Sequence, residues 1–294
     1  MSDHSHEGAH QHEEKFSPWL FITTILLTLA GLFGLLALVF PGLWKAQLDA
    51  SWIAFAVTFL LVHAGAGVFE FFFHRYILHA PLIPFLSYFY RQHTLHHALT
   101  RIGYHRTKRG TEEIPGLVEN VVHNTFPIEE EKQHEASYFP WYSLLVFALI
   151  VTPFLVIAQL LLPTWPLFLA GYLAVAWSLS LYELIHAVEH WPQDTWDRLV
   201  EHPKYGRIWR KAYAFHLRHH ADIRCNEAIS GVFGLPLCDF VFGTYIDPET
   251  LYPHGHPVDP KEFISPQPRF AFLRWLDRQA DAAVQNRRAA ARNG

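Results

Sequence analysis

The feature that most constrains this chain is a run of 47 residues, between Glu135 and Glu183, that contains no charged side chain. A helix of about 20 apolar residues crosses the hydrocarbon core of a bilayer. The run is therefore too long for one membrane span and has the right length for two. Its sequence Pro-Thr-Trp-Pro at 163–166 is typical of a turn, which predicts spans over 138–162 and 164–182.

Two earlier runs, 18–40 and 51–73, are each 23 residues long, and the second is interrupted only by His63 and Glu70. The whole chain is 17% charged, whereas soluble domains carry about 25% charged residues. Buried helices of a soluble protein rarely need uncharged runs of this length. The sequence thus predicts an all-α integral membrane protein with four transmembrane helices in two hairpins.

Two hairpins would place both ends of the chain on one side of the membrane. Of the 23 Lys and Arg residues, 22 lie on that side, and the exception is Lys45 in the connection 41–50. Positive charge collects on the cytoplasmic side of membrane proteins. We therefore expect the polar segments 74–137 and 183–294 to form a helical cap in the cytosol. The membrane would be the inner membrane of a bacterium or the endoplasmic reticulum of a eukaryote.

Three parts of the chain are predicted. Residues 1–16 are polar and lack the basic start of a signal peptide, so we expect a disordered tail. Residues 17–269 form the membrane domain with its cap. Residues 270–294 have apolar side chains at helical spacing, which indicates either a helix lying in the membrane interface or a helix packed on the cap.

Ten of the 21 histidines fall into four spaced clusters. These are His74 and His79; His93, His96 and His97; His186 and His190; and His216, His219 and His220. Residues three or four apart share one face of a helix, so the three histidines of each H-x-x-H-H cluster are expected to converge on one side. Neutral imidazole is a common ligand of zinc and iron. Ten imidazoles on one side of the membrane suit two ions with about four or five ligands each.

Four further residues are expected to support these ligands. Glu70 and Glu183 lie one turn before the first and third clusters, where ionisable groups are costly and usually functional. They are predicted to orient ligating imidazoles. Asn226 follows the last cluster and is predicted to supply an amide or water contact to a metal, and Asp239 is placed in the same supporting role.

The remaining histidines lack this spacing. His63 is interpreted as a buried core residue, and the others are placed on the surface or in the cap: His105, His123, His134, His202, His254 and His256. The two cysteines, Cys225 and Cys238, do not have a zinc or redox spacing. A net charge of −4 gives no reason to expect a nucleic-acid partner.

The four clusters together resemble the histidine boxes of the fatty acid hydroxylase / sterol desaturase superfamily. The matching motifs are H-x-x-x-x-H at 74–79, H-x-x-H-H at 93–97, H-x-x-x-H at 186–190 and H-x-x-H-H at 216–220. The stretch 236–244 also looks like that family's P-x-x-D-x-x-F-G-T segment. Two features depart from the pattern: the long interval between the third and fourth boxes, and the Glu-rich insert 98–136.

The resemblance implies a di-iron centre held by the ten box histidines, with zinc as an alternative occupant after purification. It also implies O2-dependent oxidation of a C–H bond in a fatty acyl chain, a sterol or a related lipid, most simply hydroxylation. We expect electrons to come from a separate ferredoxin-like or cytochrome b5-like protein with its reductase, because no heme-binding domain is visible in the sequence.

Three alternatives stay open at this stage. The same site could act as a lipid desaturase. His186, Glu189 and His190 fit the H-x-x-E-H pattern of a zinc metallopeptidase, with Glu189 as general base. A heme-bearing or metal-transporting bundle is the third, although it would need paired histidines inside the spans.

Overall fold

The structure, a computed structural model, describes residues 17–99, 101–109, 112–123, 139–191, 193–247 and 264–293. For 101–109 and 112–123 it describes the backbone. The predicted tail 1–16 and the histidines at 134, 254 and 256 lie outside these ranges. So do the side chains of His105 and His123.

Among the described residues, four helices are long and apolar enough to cross a membrane. They are α1 (Pro18–Val39), α3 (Trp52–Phe73), α5 (Ser143–Leu161) and α6 (Leu167–Glu189). These confirm the four predicted spans. The helix α5 begins later than predicted, after a turn at Trp141 and Tyr142. The helix α6 runs seven residues past 182, and Glu183, His186 and Glu189 in this extension are buried.

The ends of these helices follow local chemistry. The side chains of Ser17 and Ser51 accept hydrogen bonds from the amides of Leu20 and Ala54, at 3.5 and 3.2 Å, and so cap α1 and α3. A short helix, α2 (Pro41–Leu48), occupies the connection between α1 and α3 and begins at a proline.

The helix α6 is the centre of the bundle. Within its most apolar window 56% of the residues are buried, against 11–22% in the other three spans. It contacts α1, α2, α3 and α5. The outer helices expose large apolar side chains such as Leu38 (85%) and Leu160 (78%). A surface of this kind is stable in lipid and unfavourable in water, which agrees with a membrane protein.

Two buried amides join the elements at the end of the bundle where α2 lies. Gln47 donates to the side chain of Gln159 at 3.0 Å, and its carbonyl oxygen accepts from the amides of Phe168 and Leu169. The backbone amides of Phe168 and Leu169 belong to the first turn of α6, where backbone N–H groups have no partner within the helix. Gln47 thus ties α2, α5 and α6 together.

The remaining elements are mostly helical. They are a π-helical turn (His74–Leu78), a 3-10 turn (Pro84–Leu86), α4 (Ser87–Leu99), α7 (Gln193–Val200), α8 (Gly206–Ala221), α9 (Leu237–Phe242) and α10 (Ala271–Asn293). The exception is an antiparallel hairpin of β1 (Arg101–Arg109) and β2 (Glu112–His123), paired from Arg101↔His123 to Arg109↔Glu112. This hairpin falls in the Glu-rich insert, where the sequence analysis did not anticipate strands, and it contacts α7 and α8.

The C-terminal helix α10 packs on the π-helical turn. Arg75 donates two hydrogen bonds of 2.9 Å to the carboxylate of Asp277, and the hydroxyl of Tyr76 donates to the same carboxylate at 2.9 Å. Leu273 is fully buried beneath the helix. The segment 271–293 is therefore a helix whose first half packs against the turn at 74–78.

We expect Gln47→Leu to lower the free energy of unfolding by about 1–3 kcal/mol, because it leaves buried polar groups of Gln159 and of the α6 N-terminus without partners. Chemical denaturation in detergent micelles would measure this loss. Lys45→Leu changes an exposed residue of the same short helix and should stay within about 0.5 kcal/mol of the unmodified chain. Equal stability of both variants would contradict the role given to Gln47.

Candidate metal centre

The first histidine cluster lies on the π-helical turn that continues α3. In such a turn the backbone hydrogen bond joins residues five apart, and here the amide of His79 donates to the carbonyl of His74 at 3.1 Å. This geometry brings the two imidazoles together, with ring centroids 4.9 Å apart. The five-residue spacing, which would diverge on an ordinary α-helix, becomes a pair on one face.

The structure brings all ten box histidines together, in two adjoining groups. The first group contains His74, His79, His93, His97 and His219, and the second contains His96, His186, His190 and His216. His220 joins the second group, since its Nε2 lies 2.9 Å from that of His216 and 3.3 Å from that of His190.

Each H-x-x-H-H box is divided between the groups. On α4, His93 and His97 belong to the first group and His96 to the second. On α8, His216 and His220 face the second group and His219 the first. All three histidines of each box thus lie in the two adjoining groups, but no box belongs to one group alone. The i, i+4 pair shares a face, and the middle residue points to the neighbouring group.

The nitrogens that face each other are all Nε2 atoms. In the first group, the Nε2 of His93 lies 3.0, 3.3 and 3.1 Å from those of His74, His79 and His97. In the second, the separation is 3.2 Å for His186 and His96 and 2.8 Å for His190 and His216.

These separations fit a bound cation better than hydrogen bonds among the rings. His74 donates through Nδ1 to the carbonyl of Glu227 at 2.6 Å, and His219 through Nδ1 to that of Cys225 at 2.8 Å. A neutral imidazole has one N–H, so the Nε2 atoms of these two rings carry lone pairs directed into the group. Two nitrogens bound at about 2.0–2.1 Å to one ion lie roughly 3 Å apart, as they do here. The donor set therefore fits two ions of the imidazole-binding metals.

Burial keeps these ligands neutral. It lowers the pKa of His79, His93, His96, His97, His190, His216 and His220 well below the usual value, and neighbouring imidazoles lower it further. Burial also lowers the pKa of His219, to about 4. A metal ligand must be deprotonated, so these histidines are prepared to bind at neutral pH.

The loop after α8 holds the backbone carbonyls that orient His74 and His219. Asp239 accepts hydrogen bonds from the amides of Glu227 and Ala228, at 3.0 and 2.8 Å. Asn226 has a positive φ of 54°, and its side chain bonds to the backbone of Phe215 and Ile246. Both residues therefore support the ligands through the loop, and the contact of Asn226 with a metal stays a prediction.

Glu70 and Glu183 each bond to backbone outside their own helix. The carboxylate of Glu70 accepts from the amide and hydroxyl of Ser230, at 2.8 and 2.5 Å, and from the amide of Gly231. One carboxylate oxygen of Glu183 accepts from the amide of Phe139 at 2.9 Å. These contacts hold irregular backbone beside the helices, and the orientation of imidazoles by the two glutamates stays a prediction.

Two other carboxylates lie closer to the ligands. Glu227 accepts from Arg75 at 2.8 Å, and its second oxygen is 3.9 Å from Nδ1 of His74. An oxygen of Glu189 is 3.7 Å from Nδ1 of His216. Sequence reasoning missed Glu227, and it considered Glu189 only as the base of a peptidase. The position of Glu227 seven residues after the last box gives no periodic signal.

The histidines placed outside the boxes agree with the sequence interpretation where they are described. His63 is fully buried and donates through Nδ1 to the hydroxyl of Ser178 at 2.8 Å, while its Nε2 accepts from the amide of Phe233 at 3.0 Å. It is therefore a satisfied core residue. His202 is exposed.

An apolar cavity of about 650 Å3 leads to the first histidine group from the bundle. It lies among α3, α5 and α6, extends past Phe154 and Ala158, and includes Glu70, His74 and Tyr182 at its histidine end. Phe154 also lines this cavity but is 68% exposed on the outer surface. The cavity therefore adjoins the side of the protein that faces lipid.

A smaller cavity of about 340 Å3 also reaches the first group, at His79 and His97. Its lining combines apolar side chains with charged ones, among them Arg75, Asp277 and Arg288. The first group thus lies beside two separate spaces, and the smaller one is lined in part by charged side chains.

Comparisons with protein-family models, with curated proteins and with solved structures found no match for this chain.

We expect the purified chain to bind about two metal ions, with His79→Ala and His186→Ala each losing at least one, because each removes a ligand from a different group. Inductively coupled plasma mass spectrometry of the detergent-solubilised protein would measure the content. His202→Ala, at an exposed histidine, should keep both ions. Full occupancy in the first two variants would show that the groups are not metal sites.

Proposed function

We propose that this chain is a membrane-bound oxidoreductase that uses O2 at two histidine-held metal ions, most simply iron, to hydroxylate a C–H bond of a lipid. The observation that carries the proposal is the junction of an apolar cavity of about 650 Å3 with the first histidine group at His74. Binding sites for small molecules are commonly apolar spaces of about 300–1,000 Å3 with a few convergent polar groups.

The reaction would consume the lipid, O2, two electrons and two protons, and would yield an alcohol and water. When bound, the metal ions supply the activation of O2 that side chains do not provide. The histidines would hold the ions, and the carbonyls of Glu227 and Cys225 would fix the imidazoles of His74 and His219 in the ligating tautomer. The two electrons would come from a ferredoxin-like or cytochrome b5-like donor with its reductase.

The chain would position the lipid by shape. The apolar part of the lipid would lie between α3 and α5, where the cavity lining is aliphatic and aromatic. The reacting carbon of the lipid would then lie near His74. The smaller cavity beside His79 and His97, which is lined in part by charged side chains, would offer a separate path for protons and water. An apolar wall on one side excludes water from the reacting carbon.

The orientation in the membrane belongs to the same proposal. The distribution of Lys and Arg, 22 of 23 outside the two short connections, supports a cytoplasmic position for the histidine groups. An electron donor would then reach them from the cytosol.

The arrangement disfavours a zinc peptidase. A general base on a metal-bound water must face the space between the ligands, but the carboxylate of Glu189 lies beside Nδ1 of His216, the nitrogen turned away from the second group. A site of one ion and three ligands would also leave most of the ten converging histidines unexplained.

We expect membranes that contain the chain, supplied with O2 and a reductant chain, to add one oxygen atom to a lipid, and His96→Ala to reduce this turnover at least about a hundredfold. Mass spectrometry with isotopically labelled O2 would identify the product. An alkene, with two hydrogens lost and no label gained, would indicate desaturation at the same site. Full turnover in His96→Ala, with His202→Ala as the control, would refute the proposal.

We also expect Ala158→Phe to shift the preference toward shorter acyl chains, because Ala158 lines the cavity far from the histidines and the added ring would fill its end. Competition among acyl chains of graded length would measure the shift. Leu160→Phe alters an exposed position of the same helix and should keep the original preference. The same preference in both variants would contradict the placement of the chain in this cavity.

A further inference from the structure

The segment 230–242 turns back alongside the membrane span α3. Gly231 bonds to Glu70, Phe233 bonds to His63, Cys238 approaches the carbonyl of Gly67 at 3.7 Å, and Phe242 stacks near Phe71 with centroids 4.7 Å apart. Following the segment from 231 to 242, the α3 residues that it contacts are first Glu70, then His63, then Gly67 and Phe71. The segment therefore runs along α3 in one direction and then returns. Since His63 precedes Glu70 by seven residues, the tip lies about 10 Å deeper in the bundle.

The close approach to α3 has glycine on both sides. A Cβ on Gly67 would lie 3.1 Å from the carbonyl oxygen of Gly231. Gly231 has a φ of +50°, and a Cβ there would lie 2.2 Å from the carbonyl oxygen of Leu235. Only a residue without a side chain fits this turn.

The backbone N–H groups of the tip are satisfied within the protein. Irregular backbone at membrane depth is tolerated only when its polar groups have partners other than water. Every backbone N–H from Ser230 to Leu237 has an acceptor, and Pro236 has no N–H group. Two residues of α3 provide three of these acceptors: Glu70 for Ser230 and Gly231, and His63 for Phe233. The others are backbone carbonyls of the segment itself.

The outer face of the segment is apolar. Five exposed side chains, between 41% and 56% accessible, lie on it: Phe233, Leu235, Leu237, Phe240 and Val241. The segment's one charged residue, Asp239, is fully buried. This face continues the outer surface of the bundle, because Phe233 lies next to the half-exposed Trp177 of α6, with centroids 6.4 Å apart.

From these observations we propose that residues 230–242 form a re-entrant segment, inserted among the lipid acyl chains of the leaflet next to the histidine groups. Three of its backbone N–H groups bond inward to Glu70 and His63, and its apolar side chains face lipid. The proposal depends on the membrane spans and is independent of the proposed oxidation chemistry.

A nitroxide label at Leu235→Cys, in the full chain reconstituted in phosphatidylcholine vesicles, would test this. The native Cys225 and Cys238 are buried and should not react. The measurement compares collisions of the label with O2, which concentrates among acyl chains, and with a water-soluble nickel chelate. Leu149→Cys on α5 is the lipid-facing reference, and the exposed Lys204→Cys is the water-facing one.

We expect the ratio of O2 to nickel collisions at Leu235 to match that at Leu149 and to exceed that at Lys204 several-fold. A ratio like that of Lys204 would place the segment in water and overturn the proposal. Few collisions with either reagent would also overturn it, by showing that protein, such as a second copy of the chain, covers this face.

A second variant tests the role of His63. Adding His63→Leu to the labelled chain removes the acceptor of the Phe233 amide and should raise nickel collisions at Leu235 several-fold. His202→Ala should leave them unchanged. If the nickel collisions at Leu235 are the same with His63→Leu as with His202→Ala, His63 does not hold the tip.

Discussion

The structure depends on the convergence of ten imidazole nitrogens in a buried space. Lone pairs about 3 Å apart repel each other in a medium of low dielectric, and the rings of His74 and His219 already use their only N–H groups on backbone carbonyls. A cation between them reverses the sign of this interaction. The elements that carry the histidines, the turn after α3, α4, the end of α6 and α8, are thus coupled through the sites they build. Metal binding at such sites contributes directly to the free energy of folding.

The division of each H-x-x-H-H box gives the two groups matching compositions. The first group contains His74 and His79 from the turn after α3, the i, i+4 pair His93 and His97 from α4, and the middle histidine of the α8 box, His219. The second group contains His186 and His190 from the end of α6, the i, i+4 pair His216 and His220 from α8, and the middle histidine of the α4 box, His96. Because α4 and α8 each reach both groups, a shift of either helix alters both sites at once. The two sites are therefore expected to assemble together.

Much of this could be predicted from the sequence, because the signals are local. Uncharged runs gave the four spans, and box spacing gave the ten histidines that the structure gathers. The features that could not be predicted from the sequence depend on tertiary contacts. Helical periodicity places His74 and His79 on different faces, and the π-helical turn reverses that. The partners of Glu70 and the location of Glu227 arise because a loop from 160 residues later packs against α3. Nothing local in the sequence encodes that contact.

The polar residues inside the spans acquire a common explanation from these contacts. An ionisable group in a membrane helix is costly and indicates a function. His63, Glu70 and Glu183 accept hydrogen bonds from the backbone amides of Phe233, Ser230 and Phe139. Each pairs with irregular backbone that would otherwise have no partner in lipid. The three residues therefore act on the histidine groups indirectly. They stabilise irregular backbone beside the helices, next to the elements that carry the histidines.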